Sequence, residues 1–83
     1  MQKRLGFVGI IVENRKEQAG AVNGVLTEFG DIIAGRMGVP YHERNCSVIV
    51  LIVDADTDTV GALTGKLGRI PGVSVKSALS KGK

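Results

Sequence analysis

The chain has 83 residues, 43% of them hydrophobic, with a formal net charge of +3 at pH 7 and one cysteine. That length allows one domain close to the smallest size at which a core sustains itself, and the apolar share excludes a disordered chain. A single cysteine excludes an internal disulfide, and no signal-peptide pattern or membrane span is visible, which points to the cytoplasm and to no membrane partner.

Residues 4–12, RLGFVGIIV, read as a buried strand, apolar on both faces apart from Gly6 and Gly9. Asn14 is placed to cap a first helix, with Glu17 three residues on to close a capping box. Ala19, Val22, Val25, Leu26 and Phe29 follow at helical spacing, and Gly30 suits the C-cap. DIIAGRMGV, residues 31–39, is a second strand, and Pro40, which cannot donate to a ladder, marks its end or a sheet edge. Ser47 to Asp54 form a third strand, again apolar on both faces. Asp56 or Thr57 caps a second helix that buries Val60, Leu63, Leu67 and Ile70, and Gly68, Pro71 and Gly72 stop it. VSVKSAL, residues 73–79, alternates as an edge strand with one wet face should.

Two such split units make an α+β, ferredoxin-like βαββαβ fold: a four-stranded antiparallel sheet with two helices on one face. The domain is expected to span 1–83, with an ordered core over about 3–79. Its central strands are the first and third, the two segments that are apolar on both sides. Ile10 and Val12 point to one side of the first strand, Phe7 and Ile11 to the other. In the third, Val48, Val50 and Ile52 alternate with Ile49, Leu51 and Val53. Helices cover one face only, and an aliphatic chain with three aromatic residues and twelve glycines has a thin core. The uncovered face therefore predicts self-association into a dimer or tetramer, through the face or by edge pairing. Phe7, Ile11, Ile49, Leu51 and Val53 are the interface candidates.

GRMGVPYHER together with VDADTDTVGALTGKLGRIPGVSVKS, and most specifically LTGKLGRIPGVSVK, resembles the iron-only hydrogenase system regulators. These are small stand-alone proteins of ACT-like fold, and the likeness runs from about Lys3 to Ser77. It implies a non-enzymatic, ligand-sensing regulatory module. ACT modules bind small effectors, often amino acids, where the first strand turns into the first helix. VENRKEQAG resembles that turn at Glu13, Asn14 and Arg15, which makes Asn14 and Arg15 the candidate ligand residues for a small-molecule effector. Lys16 and Glu17 stand where the family turn has Pro-Gly, and Glu17 brings negative charge to a place that would hold a carboxylate.

Nickel-responsive regulators share the fold in their C-terminal domains, with a motif resembling His-x-His-x5-Cys. Cys46 matches its cysteine, while Gly38 and Pro40 occupy the histidine positions and His42 falls between them. A transition-metal site needs three or four ligands, and His42 with Cys46 supplies two, so Tyr41–Asn45 reads as a polar hairpin tip and no metal is expected. No cofactor is expected either. Cys-x-x-Cys, a phosphate loop, an aromatic nucleic-acid platform and a complete calcium loop are all missing. Basic residues cluster near the ends, at Lys3, Arg4, Lys81 and Lys83, and no helix-turn-helix pair is present, so any action on DNA is indirect. The alternatives are an accessory protein contacting hydrogenase maturation proteins, and a metal or redox sensor using Cys46.

Overall fold

The structure is a computed structural model and describes residues 2–81; the side chain of Arg15 lies outside the described set. Strand β1 (Arg4–Glu13) leads into helix α1 (Arg15–Glu28), a 3-10 turn over Gly30–Ile32 and strand β2 (Ile33–Tyr41). A second 3-10 turn, His42–Arg44, returns the chain into β3 (Cys46–Ala55), followed by α2 (Thr57–Gly68) and β4 (Val73–Leu79). The four strands form one antiparallel sheet in the order β2-β3-β1-β4. This is the expected α+β ferredoxin-like fold, with β1 and β3 at the centre.

Pairing is continuous from Arg4 opposite Ala55 to Glu13 opposite Cys46, and from Gly6 opposite Leu79 to Val12 opposite Val73. Side-chain direction alternates along a strand, so this register sorts every residue to a face. Val8, Ile10 and Val12 of β1 and Leu51, Val53 and Ala55 of β3 are buried under the helices. They meet Val22 and Leu26 of α1 and Val60, Leu63 and Leu67 of α2, and these residues form the aliphatic core. Truncating one of them, such as Leu51→Ala, removes packing worth about 2–5 kcal/mol.

The burial pattern corrects the interface assignment on β3. Leu51 and Val53 are fully buried beneath the helices and Ile49 packs against the same core, on the face opposite Phe7 and Ile11. Val48, Val50 and Ile52 are the β3 residues that share the open face with them, paired with Ile11, Gly9 and Phe7 respectively.

Two helix ends also differ from expectation. Asn14 occupies the N-cap position of α1, but its backbone is left-handed (φ 52°, ψ 51°) and its side chain makes no capping bond. Its carbonyl instead accepts from the amides of Glu17 at 2.9 Å and Gln18 at 3.2 Å. At the other end Phe29, not Gly30, caps α1, and Gly30 opens the 3-10 turn that delays β2 until Ile33. On α2, Asp56 is the cap: its Oδ1 accepts from the Thr59 amide at 2.7 Å. Pro40 lies within β2, an edge strand, where its missing donor costs no ladder bond to a second neighbour.

Candidate functional site

The face turned away from the helices carries a continuous apolar surface. Leu5, Phe7 and Ile11 of β1 project from it, 45–59% exposed. Ile52 of β3 and Met37, Val39 and Tyr41 of β2 project beside them, up to 62% exposed at Met37. These seven are all the exposed large apolar side chains among the described residues, and every one lies on this face. The half-buried Val48 and Val50 fill the space between them. Gly9 sits at the middle, opposite Val50 on one side and Lys76 on the other. A β-carbon there would meet only the Lys76 carbonyl oxygen, at 4.0 Å, so the glycine leaves an open dip in the surface. Charge lies at the margins, at Asp54, Glu13, Lys76 and Arg44. At one end Leu5, Phe7, Val50, Ile52, Ala78 and Leu79 line a shallow apolar hollow of about 550 Å³.

The opposite end of that face holds Cys46. It is half-buried and lines a second hollow with Ile11, Glu13, Tyr41, Arg44, Val48 and Ser74. His42 does not line it; it lies exposed in the 3-10 turn, and Asn45 closes the hairpin in the left-handed conformation (φ 53°). Among the described residues no three His, Cys, Asp or Glu side chains converge as a metal cluster. The strand pairing therefore separates the two candidate metal ligands: Cys46 belongs to the sheet face and His42 to the loop.

The β1–α1 turn is built differently from a ligand cradle closed by glycine amides. The Glu13 amide donates to the Gly72 carbonyl at 2.8 Å, which ties this turn to the turn between α2 and β4. Gly72 needs its glycine, because its φ is +78° and a β-carbon would lie 3.3 Å from the Glu13 carbonyl oxygen. Asn14 is exposed at this junction. Arg15 begins α1, with its side chain outside the described set. On the far side of the molecule Lys66 pairs with Glu28 and stands 5.6 Å from the centre of the Phe29 ring, bridging α2 to the end of α1.

One carboxylate is clearly perturbed. Asp56 is held below the ordinary carboxylate range, first by the Thr59 amide hydrogen bond and then by the Thr59 side chain. That is a structural cap at a helix N-terminus, where negative charge is favoured.

Residues 4–77 match the family model described as "TM1266-like: Iron-only hydrogenase system regulator, putative". Among solved structures, the uncharacterized protein TM1266 from Thermotoga maritima is 42% identical, with a TM-score of 0.92, over 96% of this chain and 100% of that one. The ACT domain of GTP pyrophosphokinase from Chlorobium tepidum is 22% identical, with a TM-score of 0.75, over 94% of this chain and 89% of that one. The apo form of CPII, a nitrogen regulatory PII-like protein from Thiomonas intermedia K12, is 18% identical, with a TM-score of 0.52, over 93% and 91% of the two chains. At those identities the last two show a shared fold. Comparison with functionally curated sequences gives no significant match. No described helix is long and apolar enough to cross a membrane.

Proposed function

This chain belongs to the TM1266-like iron-only hydrogenase system regulator family, and on that premise we propose that it is a non-enzymatic regulatory module that works as a closed homo-oligomer. The observation that carries the assembly is the open sheet face. Seven large apolar side chains, all on one side of a chain this small, form a patch that water does not favour and that a second copy would bury. Gly9 leaves the middle of the face low enough for another chain to approach, and the marginal Asp54, Glu13 and Lys76 give a two-fold arrangement opposite charges to pair at its rim. Effector binding near Asn14 and Arg15 belongs to the same proposal. It is supported by the likeness of fold to an ACT domain, and the oligomer would pass the effector's presence to a partner.

Light scattering at micromolar concentration is expected to give at least twice the 8.7 kDa mass of one chain. The two sides of β1 then separate assembly from folding. Ile11→Lys, on the open face, should dissociate the oligomer and leave a folded monomer; Ile10→Lys, in the core, should unfold the chain. A soluble monomer in the unmutated protein would overturn the reading. If that monomer retained hydrogenase maturation proteins from cell extract through the same face, the accessory role would replace it.

A further inference from the structure

The other face of the sheet is not fully covered by its helices. On β2 the residues turned toward α1 are Arg36, Gly38 and Pro40, paired across β3 with Leu51, Ile49 and Ser47. None of the three offers α1 a large apolar side chain, and α1 settles over the centre of the sheet through Val22 and Leu26. A cavity of about 250 Å³ remains beside it.

The chemistry of its lining is uneven. Val12, Val22 and Ile49 make an apolar floor, and the nearly buried Ser47 sets a hydroxyl among them. Arg36 and Asn23 stand at the rim, the Arg36 Nη2 donating to Asn23 Oδ1 at 3.4 Å. Among the described residues Arg36 has no carboxylate partner, since the ion pair present is Lys66 with Glu28. Gly38 makes the space: a β-carbon on it would find only the Ile49 Cγ1, 3.9 Å away.

We propose that this cavity binds a small aliphatic carboxylate, its head on Arg36 and Asn23 and its hydrocarbon part against Val12, Val22 and Ile49. A guanidinium whose neighbour is a neutral amide is a fork without a charged partner, and a carboxylate fits that fork in planar, charge-assisted geometry. A few convergent polar groups over an apolar floor is the usual composition of a small-molecule site. The volume falls below the roughly 300–1,000 Å³ of drug-sized pockets, which suits a short-chain acid. Its lining starts beside the β1–α1 turn, at Val12 and Ala19, and does not include Asn14. The inference goes beyond the regulatory reading and does not need it: binding can fail while assembly holds, and the reverse.

Titration of the ¹⁵N-labelled full chain with butyrate or valerate, followed by amide chemical shifts, tests it. Saturable shifts are expected at Asn23, Gly38 and Ser47, absent with butan-1-ol, which keeps the tail and loses the charge. Arg36→Gln should weaken binding by about tenfold or more, the worth of one hydrogen bond to a charged group. Gly38→Val should abolish it by filling the cavity, with the amide spectrum reporting whether the fold survives; if it does not, Gly38→Ala and Arg36→Gln carry the test. Arg44→Gln, in the hairpin turn, should leave affinity unchanged. Shifts that never saturate, that butan-1-ol reproduces, that survive Arg36→Gln or that centre on Asn14 would overturn the proposal.

Discussion

Asn14 and Asp56 stand before the two helices in equivalent places and do different work. Asp56 caps α2 with its side chain, whereas Asn14 turns the chain from β1 into α1 through a left-handed backbone. Glycine adopts that conformation without the side-chain penalty, and asparagine tolerates it better than most residues. Asn14→Gly should therefore hold or raise the denaturation midpoint, while Asn14→Ala should lower stability by about 1 kcal/mol; a side-chain cap would instead make Asn14→Gly lower it by roughly a few tenths of a kcal/mol. At Asp56 the sign follows from its lowered carboxyl. The folded state favours the ionised form, so its contribution is complete above the ordinary carboxylate range and is lost as pH falls through the lower folded value. Asp56→Asn keeps a capping oxygen but removes this titration, and acid unfolding curves of the two proteins should converge at low pH.

The strands show the same contrast between neighbouring glycines. A β-carbon on Gly6 would come 2.5 Å from the Ala78 carbonyl oxygen and collide with the Leu79 side chain, so β4 would have to move. Gly6→Ala should cost roughly 1–3 kcal/mol, as overpacking does. Gly9→Ala has open space and should change the stability of the isolated fold by less than about 1 kcal/mol. Comparison of urea midpoints checks both. At this scale the sequence is legible wherever pattern has a phase. The two segments apolar on both sides are the central strands, VSVKSAL is the edge strand β4, and Val60, Leu63 and Leu67 form the buried face of α2 as expected, with Ile70 half-buried in the turn beyond its end. Where pattern has no phase the sequence is silent. In β3 both alternating sets are branched aliphatics, and the polar ends give opposite hints: Ser47 lies on the helix side and Asp54 on the open side. In the sequence Ile49, Leu51 and Val53 are thus indistinguishable from Val48, Val50 and Ile52, and the register with β1 separates them. Asn14 is ambiguous in the same way, because asparagine serves both as cap and as left-handed turn. The Arg36 cavity depends on where α1 settles over the sheet, which no local pattern records.

For the whole molecule, the open face ties stability to concentration. If two copies bury it, the folded state is favoured by mass action, and the thermal midpoint should rise with each tenfold increase in protein concentration. Ile11→Lys should remove that dependence. Calorimetry across a dilution series reads both, and a midpoint independent of concentration in the unmutated chain would argue against the assembly.

The strand order β2-β3-β1-β4 interleaves the halves of the chain. The first half supplies β1 and β2, the second β3 and β4, and no strand is hydrogen-bonded to the other strand of its own half. Neither half can therefore hold a piece of sheet alone. Each ladder joins residues far apart in sequence or spans the hairpin between the halves, so the chain closes long loops before its pairing is rewarded, and folding should be slow for its size and all-or-none. The same interleaving protects the finished molecule. A protease that nicks the exposed His42–Arg44 turn cuts the connection and leaves the two fragments laced together, β3 between β2 and β1, as a non-covalent pair that separates only when the entire sheet melts.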